Sequence, residues 1–290
     1  MSSTEPTREK FRHLERLRVR WAEIDAQQIV FNGHYLMYFD TALAGYWRAL
    51  ALPYAETMAA LGGDLFVRKA TLEYHASAAY DDTLDIGVRC ERIGTSSLHF
   101  SGAVFRQERL LVVCDLIYVF ADPQARAAKP VPAPFRDLVT GFEAGETMLQ
   151  LRVGSWDELG EDARRIRTEV FVAEQNIPVE MEWDDADVGA VHAVAINRLG
   201  MPLGTGRLLR HAPGVARIGR MAVRRVGRGG NVGRALLEAL LAAARDRGDT
   251  QVMLHAQQSA VGFYRRAGFV AHGAPFDEAG IVHVEMVRAL

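Results

Sequence analysis

Hydrophobic positions follow two different patterns on either side of a proline-rich stretch. In the first half Leu17, Val19 and Trp21 alternate with Arg16, Arg18 and Arg20, the period of a half-buried strand. From about His34 to Leu50 the apolar residues Leu36, Phe39, Leu43, Tyr46, Trp47 and Leu50 recur at helical spacing. Strand-like runs follow near 65–76, 83–93, 96–106 and 110–121, with turns at Gly62-Gly63, Asp81-Asp82, Gly94 and Gln107-Glu108. An antiparallel sheet built from these strands has an apolar face to cover, and one long helix is available to cover it. The pattern predicts an α+β domain in which sheet wraps helix.

The second half alternates helix and strand. Leu159, Ala163, Ile166 and Val170 predict a helix over 159–172, and strand-like runs follow at 190–199, 202–210 and 215–224. A helix over 232–247 places Val232, Ala235, Leu236, Ala239, Leu240 and Ala243 on one face, and Gly248 is placed to end it. A strand at 251–255, a short helix near 260–267, and strands around Phe269 and over 281–288 complete an α/β domain with mixed sheet. Between the halves, Lys129-Pro130-Val131-Pro132-Ala133-Pro134 favours extended backbone and opposes helix. The expected division is therefore residues 12–138, a linker at 139–148, and 149–290.

Composition narrows the class without identifying it. With 290 residues, 49% hydrophobic and 24% charged, disordered, collagen-like and disulfide-scaffold chains are excluded. Two cysteines, Cys90 and Cys114, supply neither a disulfide framework nor a zinc site. The 34 basic and 36 acidic residues give no electrostatic support to a nucleic-acid or membrane-surface role. The longest apolar stretch, 110–121, is interrupted by Asp115 and too short to span a bilayer. Residues 1–12 are polar, so no secretory signal is expected and a cytoplasmic location is. Charge is informative only locally. Arg217, Arg220, Arg224, Arg225, Arg228 and Arg234 form a basic cluster, and Glu180, Glu182, Asp184, Asp185 and Asp187 an acidic one. Such runs usually lie on solvated faces.

In the first half the dense chemistry is Trp21-Ala22-Glu23-Ile24-Asp25-Ala26-Gln27-Gln28-Ile29-Val30-Phe31-Asn32-Gly33-His34-Tyr35. Asp25 follows a strand, and Asn32-Gly33 precede the long helix. Free N–H groups at a helix start can polarise a carbonyl while a nearby carboxylate serves as base or nucleophile. A helix cap is the alternative reading of the same residues. This stretch, with Val67–Tyr74, Tyr80–Leu84 and Arg92–Ser97, resembles the hotdog-fold acyl-CoA thioesterases of the 4-hydroxybenzoyl-CoA thioesterase type, over roughly residues 12–138. The resemblance implies Asp25 as catalytic carboxylate, the backbone N–H near Phe31 and Asn32 as the group that binds the thioester oxygen, and a homodimer or homotetramer formed through the hotdog domain. Gln28 stands where the family usually has Gly, and Asn32 where active members often have His.

In the second half a strand runs through Met221, Ala222 and Val223 into Arg228-Gly229-Gly230-Asn231-Val232-Gly233-Arg234, from which the helix starts. Glycines let backbone N–H groups approach a ligand, and a helix start favours an anion such as pyrophosphate. The loop resembles the acetyl-CoA loop of the GNAT acyltransferases, with Asn231 in place of the middle Gly. The second half of that family is matched by His255–Gln258 and Phe263–Phe269, and the resemblance covers about 149–290. Val170–Gln175, Asp184–Asp187 with His192, and Pro275–Gly280 resemble its ElaA/YjcF-like branch. The resemblance implies cofactor contacts from Met221, Ala222, Val223 and Arg228 to Arg234, and Tyr264 as the acid that protonates the departing CoA thiolate. Glu174, Asp185, His192 and His255 are candidate proton acceptors or substrate contacts.

Together these expectations describe a bifunctional enzyme. The N-terminal domain would hydrolyse acyl-CoA thioesters, and the C-terminal domain would transfer acetyl or acyl groups from CoA to an amine. Acyl-CoA is then a substrate, with no permanently bound cofactor and no metal. The competing expectation is a non-catalytic hotdog acyl-binding or dimerisation module joined to an active acyltransferase, which could draw on acyl carrier protein.

Overall fold

A computed structural model describes residues 5–278 and 280–290 and divides after Met148 into two compact units. The first unit runs β1 (Leu14–Arg18), α1 (His34–Ala49), α2 (Tyr54–Leu61), β2 (Asp64–Tyr74), β3 (Thr83–Ile93), β4 (Ser97–Arg106), β5 (Arg109–Asp122), a two-residue β6 (Ala127–Ala128) and α3 (Ala133–Glu143). Its sheet has the order β1-β3-β4-β5-β2, all antiparallel, with β6 paired to β5. The 16 residues of α1 bury Tyr35, Tyr38, Phe39, Ala42, Leu43, Tyr46 and Trp47. Each large side chain taken from water there contributes roughly 1.5–3 kcal/mol. Gly102 on β4 permits this approach, since a Cβ built there would stand 2.6 Å from the Phe39 ring.

Several local expectations differ from what is found: α2 and the edge strand over 149–154 have no counterpart in the apolar spacing, the helix expected over 159–172 spans Trp156–Arg167 and continues as a π-helix, and two further segments differ for reasons visible in their contacts. The alternation predicted strand through Trp21, but β1 ends at Arg18 and Trp21–Glu23 form a 3₁₀ turn that leaves Trp21 69% exposed. Glu23 causes the turn: its carboxylate accepts the Arg20 N–H at 2.8 Å and the Arg20 Nε–H at 2.7 Å, which pulls the chain round. The proline-rich segment was expected to oppose helix, yet α3 starts at Ala133 and extends into the segment assigned as linker. Pro134 sits in its first turn, where a missing N–H costs nothing. Tyr46 Oη then donates to Glu143 at 2.6 Å, and Phe135, Leu138, Val139 and Phe142 are buried.

The second unit runs β7 (Leu149–Gly154), α4 (Trp156–Arg167), a π-helical continuation (Thr168–Glu174), α5 (Val179–Glu182), β8 (Val191–Asn197), β9 (Pro202–Ala212), β10 (Val215–Val223), α6 (Val232–Asp246), β11 (Gln251–Gln257), α7 (Val261–Arg266), β12 (Val270–Glu278) and β13 (Ile281–Ala289). The sheet order is β12-β13-β11-β10-β9-β8-β7. Only β10 and β11 pair in parallel, because α6 carries the chain back across the sheet between them. Ser155 and Glu158 cap the start of α4 through hydrogen bonds of 2.8 Å. Among the described residues no helix is long and apolar enough to cross a membrane.

Candidate active sites

In the first unit residues 24–30 close into a tight hairpin, with a bridge between Ile24 and Val30. The Asp25 N–H donates to the Ile29 carbonyl at 2.9 Å, the Gln28 N–H donates to the Asp25 carbonyl at 3.0 Å, and Asp25 Oδ1 accepts the Gln27 N–H at 2.8 Å. Gln28 holds φ at 63°, in the left-handed region, at the point where a three-residue loop requires it. This explains why Gly is usual there, and the loop keeps that conformation with Gln in place. Gln28→Gly is expected to raise the stability of this unit by about 0.5–1 kcal/mol, read as a higher unfolding midpoint.

The segment after the hairpin is anchored to Glu23. Its carbonyl accepts the Phe31 N–H at 2.9 Å, and its buried carboxylate accepts Tyr38 Oη at 2.8 Å. Burial acts to raise the Glu23 pKa, but hydrogen bonds from the Arg20 N–H, Tyr38 and the Arg20 side chain outweigh it and hold the group below its ordinary value. Tyr74 Oη donates to the Asn32 carbonyl at 3.2 Å. The hairpin therefore places Asp25, and α1 places Asn32, while the Phe31 N–H is already occupied. Glu23 was not singled out in the sequence. Its burial depends on the 3₁₀ turn, which the strand-like alternation concealed.

In the second unit, two cavities among the described residues bear on the predicted site. One, of about 580 Å³, is lined by Met221, Val223, Arg228, Gly229, Asn231–Arg234, Phe263 and Tyr264 among others. This brings most of the predicted loop residues together at the start of α6. Asn231 adopts φ 65°, and Asn is among the side chains that best tolerate this region. Arg228 is held by Glu174 through two hydrogen bonds of 2.6 and 2.8 Å, and its Nε–H donates to the Val223 carbonyl. The Arg228 hydrogen bond keeps the Glu174 carboxyl below its usual range.

The second cavity, of about 260 Å³, is lined by Phe171, Gln175, Glu182, Arg217, Arg220, Met221, His255, Gln257, Tyr264, Glu278 and His283 among others. Met221, Ala260 and Tyr264 line both cavities. Tyr264 sits between Phe263 and Phe269, and burial pushes its phenol up to about 12.

The basic and acidic runs are solvated faces only in part: Arg225, Arg228, Arg234, Glu180, Asp184 and Asp185 are exposed, and the others are not. Arg224 is buried and donates to Glu169, while Arg217 and Arg220 belong to the second cavity. Glu182 and Asp187 are 2% and 3% exposed and pair with the buried Arg167. Asp187 and Asp184 also receive Arg207. His192 lines neither cavity. Its Nε2–H donates to the Asp187 carbonyl at 2.9 Å, its ring lies 4.8 Å from Trp156, and burial lowers its pKa. Asp185 is exposed and also lines neither. Of the four candidate acceptors, His255 alone faces the second cavity. No group of three or more metal-binding side chains occurs among the described residues.

Comparison with known proteins matches both halves. The profile of the Thioesterase superfamily covers residues 27–113, and that of the Acetyltransferase (GNAT) domain covers 161–290. The chain is 37% identical over 133 residues to the "Uncharacterized N-acetyltransferase YjcF" of Bacillus subtilis, an alignment spanning 46% of this chain and 94% of that protein. It is 31% identical over 93 residues to a protein of Aquifex aeolicus named "Putative esterase", spanning 32% of this chain and 72% of that one. Among solved structures, an acyl-CoA N-acyltransferase from Pseudomonas aeruginosa shares 35% identity, with 49% of this chain and 99% of that chain covered and a TM-score of 0.45. The chain thus belongs to the thioesterase superfamily in its N-terminal half and to the GNAT acetyltransferase family in its C-terminal half. Both families use acyl-CoA as substrate.

Proposed function

We propose that the chain is a bifunctional acyl-CoA enzyme, with a hotdog thioesterase over 12–138 and a GNAT acyltransferase over 149–290. The observation that carries the acyltransferase half of the reading is the pair of cavities that share Tyr264 and Met221 in their linings. In this reading CoA lies along the Arg228–Arg234 loop, its phosphates on the N–H groups that start α6 and on Arg228 and Arg234. The thioester reaches past Met221, Ala222 and Val223 toward Tyr264, and the amine enters from the 260 Å³ cavity. In the N-terminal unit Asp25 acts as base or nucleophile, and the backbone N–H of Asn32 receives the thioester oxygen, the Phe31 N–H being held by the Glu23 carbonyl.

The direct test is a panel of acyl-CoAs, with and without mixed amines, read as free thiol. Hydrolysis without an amine is expected to fall about 10²–10⁴-fold in Asp25→Asn, the range for losing a general base. Unchanged release would remove Asp25 from the chemistry. A non-catalytic first unit is the second reading, and the Phe31 N–H already spent on Glu23 favours it. That reading expects acyl-CoA to bind without turnover. Running the panel with acyl carrier protein as donor separates the two acyl sources.

A second copy of the chain is the expected partner of the first unit. Strand β2 forms an edge of its sheet and exposes Phe66, Val67 and Tyr74, with Leu36 and Met37 exposed on α1. An exposed edge with apolar side chains is a template for strand pairing. A homodimer or homotetramer follows, and acyl-CoA and amine substrates fit a cytoplasmic location.

A further inference from the structure

We propose that the 260 Å³ cavity takes an amine that carries a carboxylate, an α- or β-amino acid, with Arg217 holding the carboxylate and His255 Nδ1 receiving the amine proton. The inference rests on the acyl-transfer reading of the C-terminal unit and names its acceptor. Arginines lining this cavity differ in one respect. Arg220 is ion-paired to Glu182 at 3.4 Å and to Asp184 at 3.2 Å. Arg217 has no acidic partner among the described residues, and its one side-chain hydrogen bond runs to His255 Nδ1 at 3.1 Å. A guanidinium without a carboxylate, facing a cavity, suits planar two-point recognition of one.

The neighbouring groups fit the other end of the same molecule. His255 Nδ1 also lies 3.2 Å from Glu278 Oε2, and the Phe276 ring stands edge-on to the imidazole at 4.8 Å. A guanidinium can only donate, so its contact occupies the Nδ1 lone pair. A substrate carboxylate that draws Arg217 onto itself frees that lone pair, with Glu278 in place to stabilise the imidazolium formed. The amine, in its neutral form, attacks the thioester carbonyl carbon; the C–N bond forms and the C–S bond breaks. The nitrogen proton passes to His255 Nδ1 and then to solvent, while the thiolate leaves hydrogen-bonded to Tyr264 and takes its proton from solvent. The 3.1 Å contact between Arg217 and His255 places the two subsites side by side, which favours one or two carbons between carboxylate and amine.

The test measures acetyl-CoA-dependent acylation by the full chain. Acceptors are α-, β- and γ-amino acids, each paired with the same amine lacking the carboxylate. In the parent, kcat/KM for α- or β-amino acids is expected to exceed that of the paired amine by roughly 10–100-fold, the range for a charge-assisted hydrogen bond. Arg217→Gln is expected to bring that ratio toward one, and Arg217→Lys to restore part of it. A ratio near one in the parent, or a ratio unchanged in Arg217→Gln, overturns the proposal. If no acceptor supports transfer, the acyltransferase reading fails by itself. Calorimetry on CoA-saturated protein then decides the cavity separately, with N-acetyl amino acids compared against N-acetyl amines. Binding that needs the carboxylate and is lost in Arg217→Gln supports the subsite, and equal binding of both overturns it.

Discussion

Tyr264→Phe is expected to slow amine-dependent release of CoA roughly 10²–10³-fold, the usual loss on removing one donor aimed at developing negative charge. CoA affinity should stay within about threefold of the parent, because the ring packing against Phe263 and Phe269 is retained. The high phenol pKa sharpens the role. Burial pushes the phenol up to about 12, so it gives up its proton reluctantly. In the proposed reaction Tyr264 then serves as a hydrogen-bond donor to sulfur as the C–S bond breaks, with solvent delivering the final proton. Its phenol stays protonated throughout the neutral range, so no fall in rate from its ionisation is expected below about pH 10. The experiment pairs a pH–rate profile with CoA titration. Equal kcat in parent and variant would remove Tyr264 from the reaction.

How far the sites were legible depends on which elements carry them. The proposed CoA loop is contiguous from Arg228 to Gly233, and one strand, one loop and one helix start fix its geometry. Gln28 was readable as a departure, and the positive φ supplies its physical meaning. The lining of the 260 Å³ cavity was not readable as a unit. Arg217 lies on β10, His255 on β11 and Glu278 on β12, and they meet only because β10 pairs with β11 and β13 joins β11 to β12. The basic run thus divides in space: Arg228 and Arg234 line the 580 Å³ cavity, Arg217 and Arg220 the 260 Å³ one, Arg224 is buried and Arg225 is exposed.

The fold followed a similar rule. Elements with long, unbroken periodicity, α1, α6, β2 to β5, β8 to β11 and β13, were readable from apolar spacing, whereas the short helix α2 and the edge strand β7 were not. The segments that departed from the spacing were short ones governed by a single polar side chain, such as Glu23 turning the chain after β1, or Glu143 helping to hold α3. A charge pair formed across distant positions leaves no periodic trace. The acidic run after residue 180 is the extreme case, since its most important members are the least exposed.

Arg167→Met should destabilise the C-terminal unit by about 3–5 kcal/mol, the cost of breaking a buried ion pair from one side. Arg167 donates to Glu182, to the Glu182 carbonyl at 2.8 Å and to Asp187 at 2.8 Å, and its guanidinium lies 4.6 Å from the Trp183 ring centre. With Arg207 and Arg220 it balances three acids, Glu182, Asp184 and Asp187, so methionine leaves one buried negative charge uncompensated. Burial already raises the Glu182 pKa, against the pull of Arg167. Losing Arg167 raises it further, and a carboxyl whose folded pKa exceeds its unfolded value favours the folded state more as pH falls through the folded pKa. The stability gap between variant and parent should therefore narrow between pH 8 and pH 5. Guanidinium unfolding followed by Trp156 and Trp183 fluorescence measures it. Adding Glu182→Gln to Arg167→Met should recover part of the loss at pH 8 and little at pH 5. A gap that is constant with pH, and unaffected by Glu182→Gln, would mean that Arg167 acts through packing on tryptophan rather than through charge.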